Sequence, residues 1–124
     1  MKPRFYKSFL EAWVAGAVNP SVDVFNLMLL RGGYEFRPEH VMDEVMAWEL
    51  TELSRRPVTN VRVVGSAVLA SPVMWADPIA EAAYAVLHRA GGLLAACFDL
   101  NDMTRDTYGV EWRGGRLFNL RAQE

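Results

Sequence analysis

The residues that could do chemistry are few and scattered. His40 and Glu44 stand four apart, a spacing that would set both on one helix face and that a metal pair could use. The chain holds only two histidines. The other, His88, closes an apolar run beside Arg89, so a metal site would have to recruit carboxylates from elsewhere, and surface or capping roles are expected for both. Asp99, Asn101, Asp102 and Asp106 gather side-chain oxygens that could hold calcium. The spacing departs from a calcium-binding helix-loop-helix, because Met103 stands where an oxygen ligand belongs and no Gly follows it, so NDMTRDTYG reads as a solvated, exposed loop. Asp43, Glu44 and Glu49 add carboxylates, but nothing in the sequence marks the substrate cleft that general acid-base catalysis needs.

Nucleophilic and phosphate chemistry find no motif either. Ser8, Ser21, Ser54, Ser66 and Ser71 lack a nucleophile-elbow context, and neither GxGxxG nor phosphate-loop spacing occurs. The single cysteine, Cys97, excludes an internal disulfide and a thiolate zinc cluster, suits a reducing cytoplasm, and reads as a small core residue. Trp13, Trp48, Trp75 and Trp112 fall on different segments. A stacking platform for sugars or bases would need at least two of them exposed on one face. The expectation is a non-enzyme with no catalytic, cofactor-binding or metal-ligating residues.

Composition points the same way. The chain has 124 residues, 52% of them hydrophobic, with a net charge of -2 and acids and bases interspersed. That length supports one domain whose core needs no staples. The charge pattern lacks the basic stripe of a nucleic-acid binder. The apolar content favours a homo-oligomer or a partner that covers apolar surface. No apolar run is long enough to cross a bilayer, so no membrane partner is expected. At the N-terminus Lys2, Arg4 and Lys7 precede an apolar segment, but Glu11 interrupts it, and an amphipathic helix explains these residues better than a secretory signal.

The elements that must position these side chains follow from periodicity. Phe5, Phe9, Ala12 and Trp13 recur at helical spacing, predicting a helix over about 4–16 that ends at Gly16. Residues 22–30, VDVFNLMLL, predict a central strand apolar on both faces. Pro38 opens a segment with about two helical turns, PEHVMDEVMAW. Trp48–Leu53 is a weak strand signal, and 58–64 and 67–73 predict strands around Gly65-Ser66. The stretch from Trp75 to Asp102 reads as two apolar strands joined by a tight turn at Gly91-Gly92. Over 79–90 a helix starting at Asp77-Pro78 stays open beside the strand. GVEWRGGRLFNL predicts a closing hairpin about Gly114-Gly115. The expected fold is one mainly β domain, a compact antiparallel β-sandwich or partly closed barrel, with a β-rich core over 22–120 and an N-terminal amphipathic helix against it.

The order of these segments resembles a family of small tailed-bacteriophage virion structural proteins, met as head decoration, head-fibre or tail-associated subunits. The resemblance runs through FYKSFLEAWVAGAVNP, VDVFNLMLLRGGY, HVMDEVMAWELT, VMWADPIAEAAYAVLHR, LLAACFDLND and GVEWRGGRLFNL, nearly the whole chain. TELSRRPV departs from it, where the family has a Gly-rich, Tyr-containing stretch. The resemblance implies a non-enzymatic virion protein, made in the host cytoplasm, that binds major capsid or tail subunits in many symmetric copies. Exposed aromatics and arginines near turns, Tyr34, Phe36, Arg37, Tyr108 and Arg116, are the expected interface residues. A tail-borne receptor- or carbohydrate-binding module and a small metal-binding protein or enzyme using His40, Glu44 and the acidic loop are the other readings.

Overall fold

The computed structural model describes residues 3–119. In chain order its elements are β1 (Arg4–Phe5), α1 (Lys7–Val14), β2 (Phe25–Arg31), α2 (Met42–Met46), β3 (Arg56–Pro57), β4 (Arg62–Val64), β5 (Ala67–Leu69), β6 (Val73–Met74), β7 (Ala82–Arg89), β8 (Leu93–Asp99), β9 (Thr104–Arg105), β10 (Gly109–Glu111) and β11 (Arg116–Asn119). Tight 3-10 turns occupy Leu100–Asp102 and Arg113–Gly115. The protein is mainly β, its strands antiparallel, with a short N-terminal helix. Three sheets form, ordered β1-β8-β7-β2-β3, β6-β10-β9 and β11-β5-β4, and among the described residues they do not close into a barrel.

The central sheet is built on β7 and β8, whose hairpin closes at Arg89 opposite Leu93. Gly91 and Gly92 take φ of 102° and 99° in that turn, a region glycine enters without a Cβ penalty. Residues 82–89 are therefore strand, because pairing with β2 on one side and β8 on the other rewards their apolar side chains on both faces. Phe25, Leu27, Leu29, Ala85, Leu87 and Phe98 enter one core, while Met28, Leu30, Val86, Leu94 and Cys97 enter a second on the opposite face. Two register shifts adjust the alternation. One, between Leu87 and His88, lets Ala95 and Ala96 share the first core. The other, between Leu30 and Arg31, moves Ala82 to that core instead of leaving it on the face of Tyr84 and Val86.

Each face has its own cover. Over the first lie Phe9 of α1 and the two small sheets, through Val68, Val73, Val110 and Leu117, with Trp75 and Trp112. Over the second lie Tyr6, Tyr34, Val45 of α2, and the half-buried Phe36, Met42 and Trp48. Full burial of one such aliphatic side chain is worth about 1.5–3 kcal/mol, so this double cover accounts for the sheet's central place.

Several segments differ from expectation. The helix begins at Lys7 rather than near residue 4, because Arg4 and Phe5 pair with Cys97 and Ala96. Strand β2 begins at Phe25, leaving Val22 and Val24 72% and 59% exposed. Pro38 precedes α2 by several residues, and the strand expected at Trp48–Leu53 is only a bridge from Glu49 to Leu30. The segments 58–64 and 67–73 are each partly loop, with β4, β5 and β6 as their ordered pieces. The closing hairpin does not form: β10 pairs with β6 and β9, while β11 pairs with β5, so Gly114-Gly115 hands the chain from one sheet to another. Met1 and Lys2 of the basic run, and Leu120 at the end of the expected core and hairpin, lie outside the described residues.

Candidate functional site

The largest set of reactive side chains lies in the second core. Strand β1 sets Arg4 opposite Cys97, and alternation carries Tyr6 to the same face. The Tyr6 and Tyr34 hydroxyls share a 2.8 Å hydrogen bond, and a second of 2.8 Å joins Tyr34 Oη to Nδ1 of His40. The Tyr6 ring packs on Phe36 at 4.9 Å, and Tyr34 meets Trp48 and Tyr84 edge-on at 6.3 and 6.0 Å. The Arg4 guanidinium lies 5.1 Å above Phe36 and 5.9 Å above Tyr84.

Burial pushes both tyrosine hydroxyls upward from their ordinary pKa, Tyr6 far upward, and pushes the Cys97 thiol up to about 11. A protonated thiol is a poor nucleophile. The cluster is a hydrogen-bonded strut that ties the N-terminal strand to the 34–48 segment.

His88 occupies the other end of that face, beside Asn26 on β2 and Leu94 on β8. It is 4% exposed, so the surface or cap role expected for it is corrected: alternation along β7 puts it on the covered face that Val86 also enters. Neither ring nitrogen has a hydrogen-bond partner among the described residues. Burial first, and then the positive charge of Arg55, lowers its pKa, with Glu49 and the adjacent backbone of Arg89 opposing. Arg55 itself grips Glu49 in a two-pronged bond, Nε to Oε2 at 2.9 Å and an Nη to Oε1 at 2.8 Å.

The carboxylates expected to gather do not form a site. Among the described residues no cluster of His, Cys, Asp or Glu has the geometry to hold a metal ion. His40 precedes α2 and turns to Tyr34, while Glu44 Oε1 accepts the backbone N–H of Val41 at the start of that helix. Asp99 accepts the N–H of Asn101, and Asp106 Oδ1 accepts those of Tyr108 and Gly109 at 2.9 and 2.8 Å. The loop is also less exposed than expected, with Met103 buried and Arg105 donating to the carbonyls of Ala82 and Ile79. Asp106→Ala, which strands two backbone donors at the start of β10, is expected to lower stability by about 0.5–1.5 kcal/mol in urea denaturation. Added calcium is expected to shift neither protein's midpoint, and a calcium-dependent rise in the wild type would contradict the turn role.

The five expected interface residues come from three parts of the fold. Tyr34 is buried, 3% exposed, because its hydroxyl and ring both have partners inside, which corrects its place among the exposed aromatics. Phe36 is half-buried under Arg4, and Arg37 is exposed in the same loop. Tyr108 is 45% exposed beside β10, and Arg116 is exposed on β11 of a different sheet. Trp13 and Trp48 are half-buried, and Trp75 and Trp112 buried. The structure instead exposes apolar side chains that sequence reasoning missed: Val63 and Val64 on β4, Met74 on β6 beside Tyr108, Val41 and Met46 at α2, and Val14, Val22 and Val24. At α2 the signal was present, since Val41, Met42, Val45 and Met46 make an apolar stripe wider than one buried face needs.

Comparisons with protein-family models, curated proteins and solved structures found no match.

Proposed function

We propose that this chain is a non-enzymatic structural subunit that acts by binding protein surfaces, a capsid-decoration or head-fibre protein of a tailed-bacteriophage virion. The observation that carries the reading is the exposure of apolar side chains on or beside ordered strands of two sheets, Val63 and Val64 on β4 and Met74 on β6 with Tyr108 beside it. The side chains with chemical potential support it: His40, Glu44, Asp99 and Asp106 are engaged in bonds that hold turns and loops, and Cys97 is buried. Its partners are then the major capsid subunits and further copies of itself, and its place is the virion surface.

Quantitative mass spectrometry of purified virions measures its copy number against the major shell protein. A ratio near that of the shell is the expected result. A handful of copies per particle would move the protein to the tail, and absence from particles would overturn the reading.

A further inference from the structure

We propose that β4 is a docking edge for a second copy of this chain, paired antiparallel about Val63. The inference rests on the reading of the chain as an assembling subunit and names the surface used. Strand β4 is an outer strand of its sheet, and its hairpin with β5 pairs Val64 with Ala67, Val63 with Val68 and Arg62 with Leu69 around Gly65-Ser66. In a two-residue hairpin the closing pair exchanges both backbone hydrogen bonds, and bonded and non-bonded pairs alternate from there. Val64 and Arg62 therefore direct their N–H and C=O groups toward β5. Val63 directs its own outward. That outward donor and acceptor are self-complementary: across a twofold axis, Val63 of each copy donates to and accepts from Val63 of the other.

The side chains agree with that register. Each Arg62 lies opposite Val64 of the second copy, so no like charges face one another. Val63 shares the core-facing side with Val68, which is 0% exposed, yet Val63 itself is 38% exposed. The core-facing row thus stops uncovered at the edge, and a second copy continues it. Two other edges, β3 and β6, are blunted. Strand β3 carries Pro57, which has no N–H, and on β6 the Met74 carbonyl is taken by Arg56 Nε at 3.1 Å. The one charge on β4, Arg62, donates back to the Asn60 carbonyl at 2.9 Å instead of guarding the strand.

Sedimentation velocity of the full chain over a concentration series tests this, with Val63→Lys and Val63→Thr beside the wild type. The wild type is expected to dimerise. Val63→Lys sets two ammonium groups across the axis and is expected to weaken the dimer at least about tenfold, while Val63→Thr keeps the strand and stays within a few-fold of wild type. If Val63→Lys does not fold, as judged by its thermal melt, Val63→Pro takes its place, since it removes the outward N–H without breaking a bond to β5. A wild type that is monomeric throughout, or a dimer insensitive to a folded Val63 variant, overturns the proposal. A monomer found on virions at shell-like copy number would overturn the docking edge alone. A Val63-dependent dimer absent from virions would overturn the virion reading alone.

Discussion

Wild-type protein is expected to lose up to about 1.4 kcal/mol of stability per pH unit through His88 as the pH falls below about 6.5, and His88→Leu is expected to remove that loss. In the unfolded chain the imidazole takes up a proton near its ordinary value of about 6.5. In the folded chain burial and the charge of Arg55 lower that value. Between the two values the unfolded state binds more protons, so stability is full above the unfolded value and falls as the pH drops toward the folded one. Glu49, bonded to Arg55 through both its oxygens, opposes the shift, whose largest cause is burial. At neutral pH His88→Leu is expected to be neutral or stabilising, since it replaces an imidazole without partners by an apolar side chain beside Leu94. Urea denaturation at a series of pH values reads the slope. Equal slopes for wild type and His88→Leu would show that this imidazole is not the acid-sensitive group.

Tyr34→Phe is expected to cost about 1–3 kcal/mol, because it deletes the oxygen that joins Tyr6 to His40 and leaves the fully buried Tyr6 hydroxyl without that partner. Tyr6→Phe should cost a similar amount. With both hydroxyls removed, neither is stranded by the other, so the double variant is expected to fall short of the sum by about 0.5–3 kcal/mol. Chemical denaturation of the four proteins closes this cycle. Strict additivity would mean that the 2.8 Å contact between the hydroxyls does not hold the N-terminal strand to the 34–48 segment.

The same contrast marks what was legible in the amino-acid order. The β7–β8 hairpin was readable because alternating apolar residues and a Gly-Gly turn are local signals that agreed with each other. Gly114-Gly115 carried a similar signal and meant something else, because β6 and β5, far away in sequence, compete for the flanking strands. Tyr34 next to a Gly-Gly turn looked like a surface aromatic. Its burial depends on Tyr6, which is 28 positions away and whose hydroxyl meets it only after β1 joins β8. His88 was ambiguous for a different reason, since a neutral imidazole fits both water and a core, and only the cover over its face of β7 decides. The exposed valines of β4 were invisible because strand pattern reports which residues alternate, and not which strand ends at an edge.

A sheet clothed on both faces also governs how the molecule comes apart. Leu27 and Met28, or Val86 and Leu87, are successive residues that belong to different cores. Neither core can be opened by peeling back β2 or β7 without opening the other, so these strands have no low-energy partial excursion. The short strands β4, β6 and β9, with two or three residues each and one neighbour apiece, are held by far less. Fluctuations short of unfolding are therefore concentrated there. Breathing motion is expected first at strands that expose apolar side chains of their own, Val63 on β4 and Met74 on β6.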